Sequence, residues 1–398
     1  MQHLFNPILK ACLERIHKNA MEFGGRIPSD TRGREEGRYG EQIWGGWTDG
    51  FWPGLLNLAY FDTKDDTFLN YASEYQEYFR KRAENDREYC IKNNIIPLDH
   101  DIGFIFSLSQ VARFKLTGDA EAKELAIRAA NILAERFHET GSYIRAWDAF
   151  PWETDETALG VEEKKRKAII DSMMNVPILL WASEETGNEK LWEIAVRHSD
   201  TLRKNIIRPD GSTYHSFNFH LDTGEPDCGR SMQGYADDSC WSRGQSWGLY
   251  GFSLVYRYTK EERFLKAAET VADYFIENLL PNGISPWDFA ARENKFCPWD
   301  SSAGAIASTG LLTLAKYSVK GEFYRESAFK ILKGLVRYCC ALDTEEYQAI
   351  LLHGCVGPAY KKDQKGVVTS GESGTDTPLI YGDYFFTEAL MKIKHGSD

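Results

Sequence analysis

Basic charge is the first thing this sequence is short of. Its 47 Lys and Arg are outnumbered by 59 Asp and Glu, a formal net charge of −12 over 398 residues. No Lys/Arg stripe is long enough to supply the basic footprint that phosphate contacts need, which excludes a general nucleic-acid binder. The one dense charge run, Glu162-Glu163-Lys164-Lys165-Arg166-Lys167, is mixed in sign and reads as a solvated helix start. Long apolar runs are lacking too: nothing approaches the roughly 18 uncharged residues of a membrane span, so no membrane partner is expected. The opening Met1-Gln2-His3-Leu4-Phe5-Asn6-Pro7 lacks the basic-then-apolar order of a secretory signal. Eight cysteines are scattered without a CxxC pair, so neither a disulfide framework nor a zinc site is expected, and reduced thiols fit a cytoplasmic protein. No other metal-ligand spacing, P-loop, GxGxxG fingerprint or GxSxG elbow occurs, and no metal or cofactor is expected.

What the chain does have is aromatic residues and a repeat. The 11 Trp, 20 Tyr and 22 Phe make up 13% of it, more than a minimal core needs, and they hint at an aromatic-lined cleft of the kind that binds carbohydrate. Five times an apolar segment leads through a short polar turn into an amphipathic one. The turns are Tyr60-Phe61-Asp62-Thr63-Lys64-Asp65, Lys115-Leu116-Thr117-Gly118-Asp119, Glu185-Thr186-Gly187-Asn188, Tyr258-Thr259-Lys260-Glu261 and Tyr317-Ser318-Val319-Lys320-Gly321, recurring every 54 to 73 residues. Gly stops one helix, and Asp, Asn or Thr caps the next. After the fourth turn, Phe264, Leu265, Ala267, Ala268, Val271, Tyr274 and Phe275 trace an outer amphipathic helix. Before the turns, segments such as Ile169 to Trp181 and Gly304 to Leu314 are apolar nearly all round, as buried helices are. A first helix near 5–22 and a last near 383–394 bring the count to about twelve. Their alternation predicts an all-α (α/α)6 barrel forming one catalytic domain over residues 1–398. The loops at 23–50, 140–160, 206–240, 280–300 and 343–382 all precede buried helices, so they gather at one rim, where function belongs.

Two aspartates stand out near that rim. Asp101, in Leu98-Asp99-His100-Asp101-Ile102-Gly103-Phe104, opens a buried helix and is either an N-cap or a functional carboxylate. Asp171 lies within Lys167-Ala168-Ile169-Ile170-Asp171-Ser172-Met173-Met174-Asn175, read as an apolar helix. A carboxylate there is expensive unless paired or protonated, which suits a general acid with a raised pKa. Asn175, four residues on, shares its face and is a candidate partner. A second cluster holds Tyr214-His215, Gln233-Gly234-Tyr235 and the run Asp238 to Gly248. Arg243 and Trp247 share a helix face, either as a clamp for an acidic sugar or as an interior cation–π pair. Trp47, Trp52 and Trp147 sit on rim loops or inner-helix starts.

Five segments together, Trp47 to Gly54, Asp99 to Phe104, Ile169 to Pro177, Trp241 to Gly248 and Tyr381 to Phe385, resemble the unsaturated glucuronyl hydrolases, glycoside hydrolase family 88. The likeness spans nearly the whole chain in order, and that family's (α/α)6 barrel agrees with the helix count. The resemblance implies that Asp171 is the catalytic acid/base and Asp101 its partner. It further implies that Trp52, His100, Trp147, His215, Gln233, Arg243 and Trp247 line a subsite for an unsaturated uronate. The expected partner is an oligosaccharide with a 4,5-unsaturated uronic acid at its non-reducing end, and the expected assembly a monomer or weak homodimer. Some family members that favour sulfated fragments carry a Ser-x-x-Ser-x-Lys segment. The corresponding His353 to Lys362 stretch lacks it, which argues against a dedicated 6-sulfate pocket and leaves Lys361 and Lys362 as possible anion contacts.

The chemistry needs few groups. The C4=C5 bond is a vinyl ether, so one acid protonates C4, the ring oxygen stabilises the cation at C5, and the resulting carboxylate activates water. Ordinary glycosidases instead flank the anomeric carbon with two carboxylates. Rival readings are a hydrolase directed at rhamnogalacturonides, an (α/α)6 epimerase, which nine His serve poorly, and a non-catalytic helical scaffold.

Overall fold

The computed structural model describes residues 2–29, 37–41, 45–93, 95–148, 164–294, 297–362, 368–370 and 374–396. Six inner segments run Phe51–Thr63, Ile102–Phe106 continuing through a π turn to Ala112–Thr117, Ser172–Asn175 continuing into Pro177–Thr186, Ser242–Thr259, Ser301–Leu314 and Ile380–His395. Each touches the next, and the last returns to the first. The ring closes, as an (α/α)6 barrel requires. Outside it lie Asp66–Ser73 with Gln76–Glu84, then Ala120–Ala134, Glu189–Asn205, Glu262–Glu277 and Gly321–Tyr338, and Gln2–Phe23 covers the closing helix.

The residues account for that division. All residues of Ser301–Leu314 are buried, and its mid-helix hydroxyls are satisfied within helices: Ser308 and Thr313 donate to carbonyls four residues back, and Thr309 also reaches the Phe385 carbonyl at 2.8 Å. Glu262–Glu277 buries only one face, with Phe264, Leu265, Ala267, Ala268, Val271, Ala272 and Phe275 turned inward. The hairpin turns use the expected chemistry. Gly118 and Gly187 end helices in the left-handed conformation, and Asp65, Asp119 and Asn188 accept hydrogen bonds from the first turn of the next helix. The last turn differs: Gly321 opens the second helix of its pair instead of ending the first.

Two expectations are corrected. Asp171 does not sit inside a helix. Lys167–Ile169 is a strand, paired antiparallel with Ser216–Phe219, which in turn pairs with Pro226–Arg230. The β-branched Ile169 and its neighbours find ladder partners there, so the helix begins only after Asp171. The charge run just before it is likewise no solvated helix start at its end, because Lys167 is buried in that strand; Glu162 and Glu163 lie outside the described residues. Four more small antiparallel pairs, including Gly354–Cys355 with Thr375–Thr377, decorate the rim loops.

The inner helices approach closely. A Cβ on Gly251 would fall 2.4 Å from Met173 Cβ and 2.6 Å from its carbonyl oxygen. Gly251→Ala is therefore expected to cost about 1–3 kcal/mol by overpacking. Urea denaturation measures it, with Gly357→Ala, which would meet nothing within 4 Å, as the neutral control.

Candidate active site

The rim encloses a cavity of about 240 Å³. Trp47, Trp147, Trp241 and Tyr381 supply aromatic walls, and Asp99, Asp101, Asp171, Gln233, Arg82 and Arg243 supply the polar groups. Asp101 and Asp171 come from different inner helices, and their side chains are 13% and 14% exposed. Each stands at a helix N-cap position and makes no side-chain capping bond, so neither carboxyl is spent on its own helix.

Asn175 joins the two elements. Its amide donates to Asp101 Oδ1 at 3.1 Å and to the Asp171 backbone carbonyl at 3.2 Å, while its oxygen accepts from the Phe104 N–H at 2.8 Å. The expected partner of the Asp171 carboxyl thus holds the Asp101 carboxyl instead. Close contact makes this possible, for a Cβ on Gly103 would lie 2.4 Å from Asn175 Cα. Below Asp171, Ser172 Oγ donates to the Ile169 carbonyl and meets Nε2 of His198, whose Nδ1 accepts from Ile144 N–H. Burial lowers the His198 pKa to about 3, so that ring is a neutral brace.

The strand pairing delivers His215. Ile170 N–H donates to the His215 carbonyl at 2.9 Å, placing the ring beside Asp171. Its Nδ1 accepts from the backbone N–H groups of Met232 and Gln233 at 3.1 and 3.3 Å, which assigns the proton to Nε2. That Nε2 lies 3.7 Å from Asp171 Oδ2. Burial pushes the Asp171 pKa up to about 7, against the opposing pull of Arg243 and the Trp247 indole N–H, which lies near the carboxyl without completing a hydrogen bond. Burial and the charges of Asp99 and Asp171 hold Asp101 well above the usual carboxylate range, with Asn175 and Arg136 opposing.

Arg243 does not clamp with Trp247. Its guanidinium stacks 4.5 Å over Trp241 and 5.2 Å over Tyr381, and donates to Asp300 Oδ2 at 2.8 Å and to the carbonyls of Cys355 and Val356 at 2.5 and 2.6 Å. The cation faces the cavity already paired. Gln233 is tied to the same backbone carbonyl, donating to Val356 at 2.8 Å. Trp247 is fully buried between Phe104 and Phe385. His100 is buried edge-on to Trp147, with Nδ1 3.5 Å from Asp101 Oδ1, and burial beside Arg136 keeps it neutral.

Trp52 is not brought to the cavity. Its ring packs on Phe23 and its indole N–H donates to Tyr75 Oη at 2.9 Å, in the core behind the rim. Trp47 takes the place expected of it. The signal was present in the order of residues: Trp47 precedes the helix that starts at Phe51, so it lies on the rim, whereas Trp52 is in the first helical turn and faces the outer layer. Asp49 folds that turn, accepting from Gly46 N–H at 2.9 Å and from Tyr78 Oη. Arg82, from the outer layer, was also missed; it is buried and donates to the Ile96 carbonyl at 2.6 Å. Lys361 and Lys362 have side chains outside the described residues.

Asp99, His100 and Asp101 bring one possible metal ligand each within 4.8 Å of one another, a group unmatched among the described residues. Both carboxyl pKa values are raised and Arg136 stands beside them, so the group offers a cation little net negative charge. Among the described residues no helix is long and apolar enough to cross a membrane.

A family model described as Glycosyl Hydrolase Family 88 matches residues 20–366. The unsaturated chondroitin disaccharide hydrolase of Streptococcus pneumoniae (strain ATCC BAA-255 / R6) is 36% identical over 353 residues, covering 87% of this chain and 81% of that protein. The unsaturated glucuronyl hydrolase of Bacillus sp. (strain GL1) is 32% identical over 384 residues, 95% and 94% of the two chains. The crystal structure of unsaturated glucuronyl hydrolase from Bacillus sp. GL1 superposes with a TM-score of 0.86 at 31% identity, over 98% of this chain and 97% of that one.

The raised Asp171 pKa has a stability consequence. A carboxyl whose folded pKa exceeds its unfolded value favours the fold fully below the unfolded pKa, and that advantage is lost as pH rises toward about 7. Asp171→Asn removes the ionisation, so its Tm should gain on the wild type between pH 4 and 7 and then hold a constant lead. A Tm difference independent of pH in thermal unfolding scans would contradict the assigned shift.

Proposed function

The chain belongs to glycoside hydrolase family 88, and from that premise we propose that it releases the 4,5-unsaturated uronic acid from the non-reducing end of lyase-derived oligosaccharides. Unsaturated glycosaminoglycan-type disaccharides are the substrate class favoured, in keeping with the chondroitin disaccharide for which the streptococcal relative is named. One observation carries the reading: Asp171 holds a buried carboxyl with a pKa near neutrality at an aromatic-walled cavity that also contains Asp101 and Arg243.

In this reading neutral Asp171 protonates C4 of the vinyl ether. Positive charge develops at C5 and is shared with the ring oxygen. The Asp171 carboxylate then takes a proton from water as its oxygen attacks C5, and the hemiketal so formed opens to release the remaining saccharide. Nε2–H of His215 faces the carboxylate in its ionised interval. Arg243, fixed by Asp300, presents its remaining N–H groups to the uronate carboxylate. Trp47 and Trp147 pack on the sugar ring, and Asp101, held by Asn175, takes ring hydroxyls. The finer expectations travel with this proposal: one catalytic domain over residues 1–398, a monomer or weak homodimer, a cytoplasmic location, and no nucleic-acid partner or cofactor. All eight cysteines are free thiols, which supports a reducing compartment.

Loss of ultraviolet absorbance by the conjugated double bond follows the reaction directly. With unsaturated chondroitin disaccharide, Asp171→Asn should lower kcat about 10³-fold while circular dichroism stays unchanged. Unchanged turnover would remove Asp171 from the role of acid. Because the protonated form starts the reaction, wild-type kcat/KM should fall as pH rises through about 7; a profile that climbs across that range would contradict it.

A further inference from the structure

Two further cavities lie beside the rim. One, of about 270 Å³, is lined by Trp299, His353 and Asp376. His353 and Asp376 both hold left-handed backbone, with φ of 62° and 58°, and their side chains hydrogen-bond each other. Such conformations persist where the surrounding structure enforces them, and they cluster at binding sites. His353 leads into the strand Gly354–Cys355, and the carbonyls of Cys355 and the following Val356 hold Arg243, so this cavity neighbours the catalytic one. The other, of about 550 Å³, runs along the outer helix Gly321–Tyr338 and carries Lys330, Lys333 and Arg337. Aromatic rings bridge the two: Trp299 lies 5.7 Å from His353 and 6.1 Å from Tyr338, which is 38% exposed.

The cations are unusual for this chain. Its net charge is −12, and Lys320 and Arg325, near the start of the same helix, are paired with Asp273 and Glu322. Lys330, Lys333 and Arg337 make no ion pair among the described residues, and Arg337 is engaged only with the Tyr338 ring at 5.2 Å. Glu326 is the one carboxylate beside them in the groove. At spacings of three and four residues they form one stripe about 10 Å long, the length of a disaccharide unit. Unpaired cations beside the exposed ring of Tyr338 and the partly buried ring of Trp299 match a glycan chain that carries an anion on each repeat.

Resting on the hydrolase reading above, we propose that this groove is a second binding site, taking the anionic chain of glycosaminoglycan-type oligosaccharides outside the catalytic cavity. Lys330, Lys333 and Arg337 meet carboxylate or sulfate groups, and Tyr338 and Trp299 stack on sugar rings. A disaccharide seated in the catalytic cavity does not extend to the groove, and longer fragments gain affinity from it.

Calorimetric titration of the full chain with a chondroitin sulfate hexasaccharide whose non-reducing end is saturated tests the site without turnover. The wild type should bind, more weakly at high salt, and K330A/K333A/R337A should weaken binding about tenfold. The triple variant should keep kcat/KM for the unsaturated disaccharide and lose it for the unsaturated hexasaccharide. Equal hexasaccharide binding by variant and wild type overturns the proposal, as does an equal fall in kcat/KM for both substrates. Duplex DNA binding as tightly through the same three residues overturns the glycan assignment. Failure to turn over any unsaturated disaccharide would sink the hydrolase reading instead, and the titration would still decide the groove.

Discussion

Closure of the inner ring is the constraint on which everything else rests. A helix such as Ser301–Leu314 has no face for water, so it is stable only with neighbours on every side. Five hairpins in a row would leave the first and last inner helices each with an open flank. Packing Ile380–His395 between Ser301–Leu314 and Phe51–Thr63 removes both flanks, with Phe51 touching the rings of Tyr384 and Phe385, and Gln2–Phe23 seals the joint. The seam is held by polar groups as well. Asp383 accepts from the N–H groups of Ile350 and Leu351 and from Tyr39 Oη, tying two rim loops to the closing helix.

Closure also decides where polar chemistry can sit. Short turns occupy one end of the barrel, so the long loops and the N-terminal ends of the inner helices meet at the other. There the carboxyls of Asp101 and Asp171 are buried enough to resist ionisation while still facing a cavity. A carboxyl is poised near neutrality when desolvation and a nearby cation oppose each other. Arg243 supplies the cation, and burial outweighs its pull, leaving Asp171 near 7 instead of in the ordinary carboxylate range.

The same rim that encloses the acid supplies surfaces beside it. Backbone carbonyls of Cys355 and Val356 fix Arg243 and Gln233 on the inner side of this segment, while His353 and Trp299 line the neighbouring cavity. One short segment, His353 to Val356, thus serves two recesses. This economy follows from rim loops that pair with one another in two- and three-residue ladders instead of standing free.

Helices and their alternation were legible in the sequence because apolar spacing and turn residues act locally: the periodic Phe264 to Phe275 stretch and the caps at Asp119 and Asn188 are read within a few residues. The suspicion that Asp171 carries a raised pKa was legible for the same reason, since apolar neighbours in the chain are usually apolar neighbours in space. Its local structure was not, because Lys167–Ile169 becomes a strand through partners near residue 217 that no window around Asp171 contains. Partners followed the same rule. Asn175 serves Asp101, 74 residues away, and Arg243 pairs with Asp300, 57 away. Trp47 and Trp52 differ by five positions and by everything that matters, one on the cavity and one in the core, because the helix begins between them. Residue types, periodicity and the cost of burying charge follow from the chain alone; which buried group faces which, and hence which proton is held, follows from contacts made only when the ring shuts.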